Sequence, residues 1–305
     1  MKKFIHLLVL GALAVPSNAL AQATGTPDFT VYDRAAGELS PDTRAPTREQ
    51  LMAAIDGSSP SRLAALLEYG ERVECHECVP LLERRILEDA DPMVREMAAW
   101  WLRRHPFGFA AVYREIRTVL VGDEESGRAP DPDPVRRARA AEALGEFMDV
   151  HGVAHLTRAF ERDADSGVRV AAVRGLARIN SPAGLPVISR ALADADRAVV
   201  DAALRSVLQI NFFRDYAALL PLLAHEDAAI RRRAALLVGT FAVRDASPAL
   251  AAMLRGDSDE MVRQAAAWAL GRIGTPEARA ALSEAMATEG SRRVLDAVEV
   301  ALRMR

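Results

Sequence analysis

The chain has 305 residues, half of them hydrophobic, and carries 39 basic against 42 acidic side chains, a net charge of −3. An acidic balance without a basic block argues against a surface built to attract nucleic-acid phosphate. Beyond the first twenty or so residues, no stretch is long and apolar enough to span a bilayer.

The N-terminus sets the expected compartment. Lys2 and Lys3 precede the apolar run "FIHLLVLGALAV", Pro16 breaks it, and "SNALAQA" places small residues at Ala19, Ala21 and Ala23. That order is the layout of a secretory signal peptide, residues 1–23, with cleavage near Ala23 and Ala21 as the next choice. The run falls short of the ~20 residues a membrane anchor needs. No cysteine at the cleavage site calls for a lipid. The expectation is an exported protein, periplasmic or secreted. Lys2 and Lys3 are also the only lysines. Without them, 37 basic side chains, all arginine, face 42 acidic ones, a net of −5. No lysine then remains for Schiff-base chemistry. Residues 24–46, "TGTPDFTVYDRAAGELSPDTRAP", hold three prolines and little apolar periodicity, and read as a flexible linker.

From residue 47 the chain reads as helical. "TREQLMAAI" and "SPSRLAALLEYG" form a first pair, and "RVECHECVPLLERR" (72–85) brings both cysteines as Cys75-His76-Glu77-Cys78. A pattern then recurs. "DPMVREMAAWWL", "DSGVRVAAVRGL", "DRAVVDAALRSV", "DAAIRRRAALLV" and "DEMVRQAAAWAL" each carry Asp, an aliphatic slot residue three later, Ala four further and an apolar residue four after that. "DPVRRARAAEAL" fits with Arg136 in the slot, and "SRRVLDAVEVAL" with Ser291 and Val298 substituted. The slots fall at 94, 136, 168, 199, 230, 262 and 294, spaced 42, 32, 31, 31, 32 and 32. The first interval is long because "VGDEESGRAPDP" is inserted, an expected exposed loop. Such a period signals a solenoid, here an all-α α-solenoid of seven to eight helix pairs over 47–305.

The physics of one unit is legible. Asp91, Asp133, Asp165, Asp196, Asp227 and Asp259 stand where an N-cap accepts bonds from unpaired amides, and Ser291 can do the same. Slots 0, +4 and +8 fall within about 80° of a helical wheel, one apolar stripe. Helical stretches such as "GLPVISRALAD", "DYAALLPLLAH" and "EARAALSEAMA" lie between copies, so each unit is a helix pair covered by the next.

The run "DEMVRQAAAWALGRIG" (259–274) resembles the HEAT repeats of the phycobilisome-lyase-like kind. The resemblance implies that the arginines after the slot, Arg95, Arg137, Arg169, Arg231 and Arg263, bridge neighbouring repeats; Val200 and Leu295 depart from this. Fold does not fix function. Deoxyhypusine hydroxylases, which share the repeat, place His-Glu pairs at +2 and +3 of the second helix, and no copy here does. His76-Glu77 and His225-Glu226 fall in turns or at helix starts. A bilin lyase resembles the chain at repeat level, but export argues against that substrate.

His151 and His155 are four apart, with Gly152 between them and no third ligand nearby, so surface or capping roles are preferred to a metal. His105 precedes Pro106 and reads as a helix end. For Cys75 and Cys78 a haem clip fails because Val79 stands where His is required. Zinc lacks further clustered ligands. A structural disulfide is favoured, contributing about 2 kcal/mol for so short a loop; a redox dithiol remains the alternative.

Positions +2 and +6 lie opposite the stripe and should face solvent, and the resemblance places them on the concave side. Trp100, Arg174, Arg205, Leu236 and Trp268 at +6 are the candidate partner contacts, since tryptophan and arginine are enriched at binding hot spots. The alternative is that Trp100 packs under the 122–133 insertion and Trp268 against its neighbours' side chains. The aromatics of "NFFRDY" (211–216) and of "HPFGFAAVY" read as core filling.

The expected function is an exported scaffold that binds another envelope or secreted protein on its concave face. It implies no cofactor, metal, nucleic acid or membrane span, no enzymatic activity, and an undetermined oligomeric state. The alternatives are an exported thiol-disulfide protein using Cys75 and Cys78, or a HEAT-like enzyme of the lyase type.

Overall fold

The computed structural model describes residues 46–304; the expected signal peptide and all of the linker except Pro46 lie outside the described residues. Among the described residues the chain is all-α, relieved only by an isolated bridge between Asp123 and Arg128. No described helix is long and apolar enough to cross a membrane. Two compact units divide it, the first reaching Gly108 and the second starting at Phe109.

In the first unit, α1 (Arg48–Gly57) and α2 (Pro60–Tyr69) form one pair, α3 (Cys78–Glu88) and α4 (Pro92–Arg103) the next. Thr47 and Gln50 close α1 with a reciprocal capping box, in which each side chain satisfies the other's backbone amide. The helix α5 (Pro106–Val121) begins here and runs into the second unit.

The second unit continues with α6 (Pro134–Phe147), α7 (Gly152–Arg162), α8 (Ser166–Ile179), α9 (Leu185–Ala191) and α10 (Arg197–Val207). A 3-10 helix (Tyr216–Ala224) precedes α11 (Ala228–Thr240), α12 (Ser247–Gly256), α13 (Glu260–Ile273), α14 (Pro276–Thr288) and α15 (Arg292–Leu302). The second helices α6, α8 and α10 pack in succession, as do α11, α13 and α15.

Every repeated aspartate caps its helix. Asp91, Asp133 and Asp196 accept from the amide two residues on and Asp165 from the one three on, while Asp227 and Asp259 accept from both. Ser291 accepts from Val294. Such a cap is worth about 1 kcal/mol. The stripe is buried as its spacing requires: Val168, Ala172 and Leu176 in α8, Val262, Ala266 and Leu270 in α13. A fully buried leucine or valine contributes about 1.5–3 kcal/mol. Arg136, in an apolar slot, stays half-buried and turns its Nε to Asp131 at 3.0 Å.

The arginine after the slot is a clamp. Arg231 donates from Nη1 to the carbonyls of His225 and Glu226, and from Nε and Nη2 to both oxygens of Asp257 in the next repeat. Asp257 in turn accepts from the Asp259 amide, so the rung continues into the next cap. Arg137 with Asp163, Arg169 with Asp194, and Arg263 with Glu289 repeat this bidentate geometry.

One repeat breaks the rule. The expected helix over "DYAALLPLLAH" is instead 3-10 from Tyr216 to Ala224, with Pro221 inside it. An α-helix would lose the bond from the Pro221 nitrogen and clash with the carbonyl four residues back. "GLPVISRALAD" is likewise shortened, to a 3-10 turn and the seven-residue α9. The insertion after α5 is exposed over 124–130, as expected, but tied down: Arg128 pairs with Glu115 through two bonds of 2.7 and 2.8 Å, and Arg158 reaches Glu124 at 2.7 Å.

Candidate functional site: the outer row of the second helices

The wheel positions expected to face out belong to the second helices, whose opposite sides are held by the buried stripe. In the second unit they lie on four successive helices. Arg174 of α8 is exposed and Arg205 of α10 is exposed, its Nε 2.7 Å from Asp201 one turn earlier. Asp201 also accepts from Arg233 of α11, which ties the two helices across this face. Leu236 of α11 is 36% exposed.

Trp268 of α13 does not stand clear in solvent; it is half-buried. Its ring edge lies over Gly239 of α11, where a side chain's Cβ would sit 2.7 Å from Cζ3. In the first unit Trp100 is also half-buried, with the Arg104 guanidinium 4.9 Å from its ring centroid. The expectation of solvent-facing tryptophans is therefore corrected by half: both are half-buried, and each rests part of its ring on protein.

The row contains residues that the sequence reading passed over. Arg232, at +2 of α11, is exposed and, like Arg174, has no ion-pair partner among the described residues. Val300 of α15 is 55% exposed in the same +6 position as Leu236 and Trp268. Arg232 occupies a +2 and Val300 a +6 wheel position, which is the sequence signal for both.

Cys75 and Cys78 are joined, with Cα atoms 5.2 Å apart, and both residues are fully buried. Cys78 opens α3. The ring of His76 lies 4.3 Å from that of Phe107, and the next residue, Val79, fills the space beside Gly108 where a Cβ would come within 2.6 Å of it. His76 and Val79 thus set the entry to α3 against the start of α5.

The histidines are separately employed. Buried His105 donates from Nδ1 to the Trp101 carbonyl at 2.7 Å and stacks on that indole. His151 Nδ1 lies 2.7 Å from Asp149. Half-buried His155 packs against Tyr113; burial, then Arg117, Arg158 and His151, hold its pKa below the usual imidazole value. Burial, helped by Asp149, pushes the Tyr113 hydroxyl up to about 12. No group of three His, Cys, Asp or Glu among the described residues is placed to hold a metal ion.

Two stretches of the chain, 127–209 and 216–303, match the family model for HEAT repeats; the gap between them is the turn before the irregular 3-10 helix. The crystal structure of the Escherichia coli protein YibA is similar at 12% identity, covering 92% of this chain and 98% of that one with a TM-score of 0.55. Human deoxyhypusine hydroxylase in complex with glycerol is 22% identical over 84% of this chain and 96% of its own, at a TM-score of 0.35. The complex of CpcE and CpcF of phycocyanin lyase from Nostoc is 21% identical over 73% and 93%, at 0.38. No curated protein matches the chain in sequence. The matched stretches take in more than half of the residues, and they carry the capped, arginine-clamped helix pairs described above: the chain belongs to the HEAT-repeat family.

Proposed function

We propose that this HEAT-repeat protein is an exported scaffold, without enzymatic activity of its own, that holds another envelope or secreted protein on the outer row of its second helices. Such a row is expected to line the concave side of HEAT repeats. The observation that carries the reading is the row itself: Arg174, Arg205, Leu236 and Trp268 occupy one register on four successive helices and combine accessible guanidinium groups with apolar anchors. Such residues supply a disproportionate share of binding energy. Repeated helices present them as a strip rather than a pocket.

The thiol-disulfide alternative is opposed by the burial of Cys75 and Cys78, because exchange requires a thiolate to reach a sulfur. The lyase-type alternative rests on repeat resemblance alone. The test is to replace Trp268 with a photoactivatable residue, irradiate cells, and identify adducts by mass spectrometry. A single protein adduct confined to this position is the expected result. Folded protein that yields no adduct at position 268 would sink the reading.

A further inference from the structure

The outer row is not uniform along its length. In the second unit, Arg174 and Arg205 stand on α8 and α10, and Arg232 stands one turn before Leu236 on α11; beyond them come Leu236, Trp268 and Val300 on α11, α13 and α15. Arg174 and Arg232 are exposed and unpaired among the described residues, and only the Arg205 charge is answered locally, by Asp201. One end of the strip is therefore cationic in a protein whose overall charge is negative. The other end is apolar: Leu236 is 36% and Val300 55% exposed, with the half-buried Trp268 between them.

We infer that the occupant is an extended segment of a partner protein with acidic residues at one end and large apolar residues at the other, laid across the second helices with its acidic end over α8, α10 and the Arg232 turn of α11. This rests on the scaffold reading above and gives that partner its chemistry. Carboxylates would meet Arg174 and Arg232, each of whose planar forks donates two parallel bonds to one carboxylate without first breaking an internal bond. Apolar side chains would cover Leu236 and complete the burial of Trp268, with Val300 one helix beyond. From α8 to α13 there are three helix spacings of about 8–10 Å, so roughly 24–30 Å. At about 3.3 Å per extended residue, eight or nine residues span that distance. The segment needs no pocket and no defined fold of its own.

The experiment uses the full mature protein and fluorescein-labelled peptides of ten residues. One peptide has four glutamates followed by an apolar half with two leucines and a phenylalanine. A second scrambles the same composition, and a third replaces the glutamates with arginines. Fluorescence anisotropy should show the first binding at least about tenfold more tightly than the other two, with affinity falling as salt rises through the range where screening is strong. Arg174→Ala with Arg232→Ala should remove most of the salt dependence. Trp268→Ala should weaken binding about tenfold while leaving that dependence in place. Equal binding of the ordered and scrambled peptides, or of the arginine peptide, overturns the inference, as does the absence of binding by all three. Circular dichroism of each variant excludes unfolding as the cause. If the Trp268 cross-link to a partner persists when the peptide result fails, only the chemistry assigned here falls; if the cross-link is absent too, the scaffold reading falls with it.

Discussion

At Gly239 a methyl group has no room. Its Cβ would lie 2.7 Å from the Ala269 Cα, 2.8 Å from the Ala269 Cβ and 2.7 Å from the Trp268 ring. In an open helix interior, glycine to alanine gains roughly 0.5–1 kcal/mol by restricting the unfolded chain. Here the sign reverses, because backbone of the neighbouring helix rather than a movable side-chain tip fills the space. Gly239→Ala should destabilise by about 1–3 kcal/mol through overpacking. Gly256, at the end of α12 with nothing within 4 Å of its would-be Cβ, is the control and should be neutral or slightly stabilised by the same change. Urea unfolding midpoints of the two variants decide it. A raised midpoint for Gly239→Ala would mean that α11 and α13 do not approach this closely, and that Trp268 has a freer ring than the structure gives it.

Between elements, the rung of arginine and carboxylate is broken once in the second unit's regular run, and the break has two halves. Val200 replaces the arginine and is buried, while His225 stands where the other repeats place Asp163, Asp194, Asp257 or Glu289. His225 still accepts the Asp227 amide through Nδ1 at 3.0 Å, so the turn is kept and only the bridge is lost. Packing between α10 and α11 is correspondingly the thinnest among successive second helices of this unit. Val200→Arg alone buries an unpaired cation, and His225→Asp alone adds an unpaired anion, so each should destabilise. Together they rebuild the rung, and a double-mutant cycle should return a favourable coupling of about 1–3 kcal/mol at pH 7. The Asp257 carboxyl shows the expected pH behaviour: its hydrogen bonds from Arg231 outweigh burial and hold it below the usual value of 3.8. A carboxylate lowered by folding stabilises above its unfolded pKa, and that stabilisation is lost as pH falls through the folded one. The coupling should accordingly fade only below about pH 4. Additive single effects at pH 7 would show that α10 and α11 are held apart by something other than the missing pair. The sequence made the caps and stripe legible because both follow a strict period. It did not show the 3-10 helix, since Pro221 sits within an otherwise helical apolar pattern, nor the half-burial of Trp268, which depends on a glycine in another repeat. His225 was visible as a residue but not as a substituted rung partner, because that role appears only when the bonds at Asp163, Asp194 and Asp257 are compared.

Across the whole molecule, no lysine follows residue 3, and the rungs account for its exclusion from their own positions. A clamp that reaches two loop carbonyls and both oxygens of a carboxylate needs a planar fork with five donors, which arginine has and an ammonium group lacks. Arg137, Arg169 and Arg231 each bond two loop carbonyls and Arg263 one, and all four hold a carboxylate of the next repeat. The exposed arginines have no such constraint, so the structure accounts for lysine's exclusion at the rungs and not elsewhere. The same composition makes the proposed export directly measurable. Cleavage after Ala23 removes Lys2 and Lys3 and leaves one primary amine, the α-amino group of Thr24. Protein isolated from the cell envelope and treated with an amine-specific acylating reagent should therefore gain a single label by intact mass, and N-terminal sequencing should begin at Thr24. The uncleaved chain offers three amines: its α-amino group, Lys2 and Lys3. Three labels on the bulk of the folded protein would mean that the leader is retained and that the partner must be sought in another compartment. A single label would also explain in advance why amine-directed cross-linkers fail on this protein. Any carboxylate or apolar contact made by the outer row would then have to be captured at its arginines or at Trp268.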